Sequence, residues 1–112
     1  MQISKLIDAS LDFSTILIRL VEDLMSQQES IMSPQLAKSG TMIGAYIHEA
    51  QFAPNKAEYV AKLQKALDET SQTAYWLELL YRLGYIYDSS IRDISADCDS
   101  LRGMIISAIE YA

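Results

Sequence analysis

The sequence has 112 residues, of which 50% are apolar, with only four glycines and two prolines. This length suits one domain with a buried core, and this composition excludes a disordered tail, a collagen-like repeat and a turn-rich β-sandwich. Fifteen acidic and nine basic residues give a net charge of −6, which disfavours general attraction to nucleic acid or anionic lipid.

The first helix is predicted over residues 3–28, where apolar side chains recur at alternating steps of three and four. A second row beside the first widens the apolar stripe beyond a narrow seam. The inner row is Ile3, Leu6, Ser10, Phe13, Leu17, Leu20 and Leu24, and the second row is Ile7, Leu11, Ile18, Val21 and Met25.

The second helix is predicted over residues 33–52, with Ser33 as its N-cap and Pro34 at the first helical position. A run of small residues follows in this helix, and it predicts close approach of another helix backbone. These small residues are Ser39, Gly40, Gly44 and Ala45.

The third helix is predicted over residues 55–83, starting at the capping-box pair Asn55 and Glu58. Gly84 suits the left-handed position that follows a helix, with Tyr85 folding back onto the last turn. The fourth helix is predicted over residues 89–111 by strict three–four alternation of apolar residues.

Four amphipathic helices joined by short loops predict an all-α fold, an up-down-up-down antiparallel four-helix bundle. We interpret residues 1–112 as a single domain of this type. Apolar side chains off the inner row of the third helix predict a second burial surface, which we interpret as an interface between copies of the chain. They are Tyr75, Trp76, Leu79 and Leu83.

The chain is expected to be cytoplasmic and without a membrane segment. No apolar run approaches the ~20 residues of a membrane helix, and Asp8 interrupts the stretch that a signal peptide would keep apolar. The single cysteine, Cys98, excludes an intrachain disulfide and lies on the inner row of the fourth helix, where it suits a small apolar role.

Two stretches of the chain resemble the 23S rRNA-intervening sequence protein family. The first is Gln35-Leu36-Ala37-Lys38-Ser39 followed by residues 43–49, Ile-Gly-Ala-Tyr-Ile-His-Glu; the second runs through Tyr59, Leu63, Ala66, Glu69-Thr70, Trp76-Leu77 and Leu83-Gly84-Tyr85-Ile86. The resemblance implies a four-helix bundle that assembles as a homopentamer, and it implies little biochemistry. It extends distantly to the accessory proteins of diversity-generating retroelements, which bind a reverse transcriptase and nucleic acid. Tyr46 and Ala50 depart from the Asn and Gly that are usual in the family.

The polar residues of the resembling stretches, Lys38, Glu49, Glu69 and Thr70, are interpreted as structural. Glu49 or Glu69 is expected to bond a helix end or to pair with Lys38 across the second and third helices. Paired carboxylates also suit acid–base catalysis, but the sequence offers no accompanying nucleophile or phosphate loop. A di-iron site is excluded within one chain because His48 is the single histidine. We therefore predict no metal, no cofactor and no enzymatic activity.

Four lysines form a candidate nucleic-acid surface near the turn between the second and third helices: Lys38, Lys56, Lys62 and Lys65. Interleaved acidic residues and the net negative charge disfavour this role. Our first functional hypothesis is a homo-oligomeric assembly or adaptor module with an unknown protein partner. The alternative is an accessory protein that binds RNA or a reverse transcriptase, and an enzyme with its site at a subunit boundary is a third reading.

Overall fold

Four α-helices follow one another in a computed structural model that describes residues 2–112. They are α1 (Gln2–Ser26), α2 (Ser33–Ala50), α3 (Lys56–Arg82) and α4 (Asp88–Glu110), and there is no β-strand among the described residues. Each helix packs against its neighbours in the sequence, and α4 closes the square against α1. The diagonal pairs α1–α3 and α2–α4 make no close backbone approach within residues 2–112. The predicted all-α up-down-up-down bundle is confirmed.

The inner rows of the four helices form one continuous apolar core. Leu17, Leu36, Ile43, Leu63 and Ile105 are fully buried, and they come from all four helices. Some members of the predicted rows lie at the edge of this core and are only half-buried, namely Leu20, Tyr59 and Ile91. Removal of this apolar surface from water is the main stabilising contribution to the fold.

The helices α1 and α2 approach closely at Gly40. A methyl group added at Gly40 would overlap Cδ2 of the fully buried Leu17 and would lie 3.1 Å from its Cγ. Gly44 is also tight, since a Cβ there would lie 3.3 Å from Ser10 Oγ. The small side chains of α2 therefore allow the close contact that the sequence predicted, here with α1.

Two helices end in a left-handed residue of the Schellman type. Gly84 has φ +84°, and the N–H of Tyr85 donates to the carbonyl of Leu80 at 3.0 Å, as predicted. The same arrangement ends α1 at Ser26, two residues before the predicted boundary. Here Gln28 is the left-handed residue, with φ 66°, and the N–H of Glu29 donates to the carbonyl of Leu24. This turn directs Glu29 back toward the start of α2.

The prediction that Ser33 caps α2 is wrong. Ser33 is the first helical residue, Met32 holds the N-cap position without a side-chain bond, and the carboxylate of Glu29 does the capping. It accepts hydrogen bonds from the N–H groups of Ile31 and Met32 at 2.9 Å, and from the N–H and hydroxyl of Ser33 at 2.6 Å each. Glu29 is only 3% exposed.

These hydrogen bonds control the ionisation of Glu29. Burial by itself raises the pKa of a carboxyl group, but the bonds from the Ser33 hydroxyl and from the three N–H groups outweigh it and lower the pKa of Glu29 to about 2. The side chain is therefore a carboxylate at neutral pH, placed where the helix dipole also favours negative charge.

Candidate functional site

Five charged residues that the sequence singled out lie along the outer edge of the contact between α2 and α3, namely Lys38, Glu49, Lys62, Lys65 and Glu69. Near the end of α2 and the start of α3, Lys62 Nζ lies 3.1 Å from Glu49 Oε1, and both side chains are partly exposed. The ammonium groups of Lys62 and Lys65 lie 6.0 and 5.8 Å from the centroid of the Tyr46 ring. Tyr46 thus places an aromatic face beside two cations, one of which is already paired with a carboxylate.

Glu69 lies two turns further along α3 than Lys62, on the same side of the helix, and is half-buried. Burial raises the pKa of Glu69, the charge of Lys38 opposes this rise, and the charge of Asp68 adds to it. Neither Glu69 nor Glu49 has an oxygen within 4 Å of Lys38 Nζ among the described residues. The ion pair of Glu49 is with Lys62 and not with Lys38, so the expected partner is corrected.

Thr70 is buried on the core side of α3. Its hydroxyl donates to the carbonyl of Leu67 at 2.6 Å, and its own carbonyl accepts a hydrogen bond from the Cys98 thiol on α4 at 3.8 Å. Burial, together with Asp99 and against the charge of Arg102, raises the pKa of Cys98 to about 11. A thiol that stays protonated is a poor nucleophile, which agrees with a packing role for Cys98.

Thr73 and Ser39 form a buried polar contact between α2 and α3 that the sequence analysis did not identify. Their hydroxyl oxygens are 3.0 Å apart, and the Thr73 hydroxyl also lies 2.8 Å from the carbonyl of Glu69. The signal was present in the sequence, since both residues lie on inner rows among apolar side chains. The Ser39 hydroxyl likewise lies 3.4 Å from the carbonyl of Leu36, so both buried hydroxyls also have a partner within their own helix, and their mutual hydrogen bond links α2 to α3.

The four candidate lysines do not form one patch. Lys62 and Lys65 share the Tyr46 ring, whereas Lys38 lies beside Glu69. Lys56 and Lys65 are nine residues apart on α3, which corresponds to two and a half helical turns and places them on opposite sides of the helix. The structure therefore brings together two of the four.

The apolar side chains predicted as an interface follow α3 beyond these lysines. Tyr75 and Leu83 are 60% and 57% exposed, and Trp76 and Leu79 are half-buried against the core. Leu83 is eighteen residues after Lys65, a whole number of helical turns, so both residues point to the side of α3 that faces α2. We call these four residues the α3 row.

A second exposed apolar row lies on α1. Leu11, Ile18 and Met25 are spaced by seven residues and are 60%, 38% and 60% exposed. Leu11 lines a hollow with Thr41 and His48 of α2, so this α1 row lies on the side of α1 that faces α2. These residues were predicted to widen the buried stripe of α1, and they are exposed instead. Their seven-residue spacing indicates a separate surface.

His48 is exposed near the end of α2. Its Nδ1 lies 3.0 Å from the side-chain amide nitrogen of Gln51, and its ring packs edge-on against Phe52. Within residues 2–112 no three His, Cys, Asp or Glu side chains are grouped as ligands of a metal ion. Over the same part of the chain, no helix is both long and apolar enough to cross a membrane.

Comparison with known proteins identifies a family and a solved structure that this chain resembles. The family model described as 23S rRNA-intervening sequence protein matches residues 4–107. A crystal structure at 1.70 Å of a Bacteroides thetaiotaomicron protein of unknown function, from the S23 ribosomal protein family, is 39% identical with a TM-score of 0.95. The match covers 98% of this chain and 99% of that one. A search of curated proteins gives no match. The chain belongs to the 23S rRNA-intervening sequence protein family.

Proposed function

We propose that the protein is a non-enzymatic assembly or adaptor module that works as a ring of identical copies. The observation that carries this proposal is the α3 row, which leaves Tyr75 and Leu83 60% and 57% exposed on a bundle whose core is already filled. Exposed apolar side chains grouped on one face favour burial against another protein surface.

The α1 row supplies a second, different surface for the same contact. The two rows lie on the bundle faces that share α2, and such adjacent faces of a square bundle meet at about 90°. If the α1 row of one copy packs on the α3 row of the next, the contact joins two different surfaces. Each copy is then rotated relative to the previous one by the angle between the two faces. A turn of about 90° closes a ring of four copies and one of about 72° a ring of five, so a small tightening of this angle gives the homopentamer that the family resemblance implies.

The proposal is tested by the molar mass of variants with a polar α3 row. We expect the wild-type protein to have a mass near five times 12.6 kDa by light scattering, and Tyr75→Ser combined with Leu83→Gln to shift it toward 12.6 kDa. Both side chains are exposed, so the subunit itself should stay folded, which circular dichroism checks.

Tyr111→Ser is the control because Tyr111 is an aromatic residue outside both rows that is even more exposed than Tyr75, at 77%. This variant should keep the wild-type mass. If the Tyr75→Ser, Leu83→Gln variant also keeps the wild-type mass, the interface between copies does not include the α3 row.

A second candidate function, the binding of RNA or of a reverse transcriptase, is favoured by one observation. The ammonium groups of Lys62 and Lys65 lie about 6 Å from the centroid of the half-buried Tyr46 ring, and cations beside an aromatic ring are a feature of surfaces that bind single strands. The net charge of −6 opposes this function.

RNA binding predicts that Lys65→Gln weakens retention of a short single-stranded RNA at low salt, because phosphate contacts dominate such affinity. Lys56→Gln, on the opposite side of α3, removes the same charge and serves as the control. No retention of RNA by the wild-type protein at low salt would remove this second candidate.

A further inference from the structure

A long groove runs between α1 and α4, on a face that neither apolar row occupies. Two adjoining hollows of about 750 and 190 Å³ form it, and they share Ile16 and Asp97 in their walls. On α1 the groove extends from Ala9 to Asp23, a rise of about 21 Å along the helix. Of the four contacts between helices, the one between α1 and α4 is the sparsest.

The floor of the groove is apolar. Leu20 and Ile94 lie beneath Ile16 at one end, and Phe13 and Leu101 lie at the other. Ile16 is 46% exposed although it faces this cleft between two helices. On the α4 side Ser90, Ala96 and Ser100 are small, and the large side chain of Met104 lines only the smaller hollow.

The rim of the groove is acidic. Asp12, Asp23, Asp93 and Asp97 line it, and Arg19 is the one basic residue of the lining. None of these four carboxylates lies within 4 Å of a basic group in the part of the chain that the structure describes. A negative rim around an apolar floor is complementary to a positively charged, amphipathic surface.

From this geometry we infer that the α1–α4 groove binds a lysine- or arginine-rich amphipathic helix of another protein. A helix of about four turns matches the 21 Å length, with its apolar side chains on the floor and its cations against the aspartates. The inference rests on the proposed function and names the chemistry of the adaptor's partner. In the proposed ring α2 points to the axis and α4 points outward, so the groove stays open on the outer wall.

The test uses three synthetic 16-residue peptides and the full-length protein. The probe is an amphipathic leucine–lysine helix; the comparison peptides replace every lysine by glutamate or every leucine by serine. We expect the leucine–lysine peptide to bind by fluorescence anisotropy, more weakly as salt rises, and both comparison peptides to bind at least tenfold more weakly. Asp93→Asn combined with Asp97→Asn should weaken binding at least tenfold, and Ile16→Ser should weaken it without any charge change.

Asp68→Asn combined with Asp99→Asn is the matched control, since it removes the same charge from exposed aspartates outside the groove. Equal losses in the two pairs would overturn the inference by showing non-specific attraction, as would no binding of the leucine–lysine peptide at 100 μM (on the order of −5 kcal/mol). A groove variant with an altered molar mass would show instead that a second copy covers the groove, which also overturns it. Light scattering of the same samples tests the ring separately: failure of peptide binding with an intact ring refutes the groove alone.

Discussion

At the scale of single residues, Glu29 has the strongest local effect on the fold. Its carboxylate accepts hydrogen bonds from the N–H of Ser33, the first residue of α2, and from those of Ile31 and Met32 just before it, and it does so from within a tight turn after α1. Hydrogen bonds to a charged group contribute more than neutral ones, and a buried donor left without a partner destabilises strongly.

Glu29→Gln is therefore expected to lower the free energy of unfolding by about 2 kcal/mol, measured by chemical denaturation. Glu22→Gln on the exposed side of α1 is the control and should change it by less than about 0.5 kcal/mol. Equal stability of the two variants would contradict the capping role.

The same carboxylate predicts how stability depends on pH. Its pKa is lowered from 4.5 to about 2, so the unfolded chain binds the proton more readily than the folded protein does. The contribution of Glu29 is complete above pH 4.5 and is lost as pH falls toward 2. The slope of stability against pH in this window should be smaller in Glu29→Gln than in wild type, and parallel curves would exclude Glu29 as its source.

The cap of α2 illustrates why sequence reasoning failed at this point. Ser33-Pro34 has the local signature of an N-cap, and nothing in the sequence marks a glutamate four residues earlier as its replacement. The outcome depends on Gln28 adopting a left-handed conformation, which is uncommon for glutamine and turns the chain back on itself.

At the scale of elements, the two left-handed helix ends differ in a way that stability measurements can detect. Gly84 adopts φ +84° without strain, whereas Gln28 at φ 66° has a side chain in a conformation that favours glycine. Gln28→Gly should raise the free energy of unfolding, and Gly84→Ala should lower it, each by about 1 kcal/mol. Thermal and urea denaturation check both, and changes of the same sign would contradict the assignment.

Two glycines within helices give a second matched pair. A methyl group at Gly103 on α4 meets nothing within 4 Å, while one at Gly40 overlaps Leu17. Gly103→Ala should stabilise by about 1 kcal/mol through helix propensity. Gly40→Ala should instead destabilise by about 1 kcal/mol, because overpacking exceeds the gain in propensity. Equal stabilisation in both would show that α1 and α2 separate without strain.

Which helices form was predictable, but which side chains pair across them was not. Apolar spacing, the Asn55 cap and Gly84 each act locally, and the structure agrees with all three. The partner of Glu49 depends on how far α3 slides along α2, and this register is fixed by long-range packing that includes Ser39 and Thr73.

At the scale of the whole chain, the four-helix bundle leaves part of its apolar surface uncovered. Trp76 and Leu79 are half-buried by their own chain, while Tyr75, Leu83 and the α1 row remain exposed. Burial of apolar area contributes about 25 cal/mol per Å², so the proposed contacts between these rows would favour association. The sequence pointed to α3 through its excess of large apolar residues, whereas the exposure of the α1 row required the helices to be placed.

The most direct test is the molar mass of the wild-type protein measured by sedimentation equilibrium at micromolar concentration. We expect a closed assembly of constant mass, near five times 12.6 kDa, across a tenfold dilution. A folded species of 12.6 kDa over the same range would contradict it, because the α1 and α3 rows would then be stable in water without a partner copy.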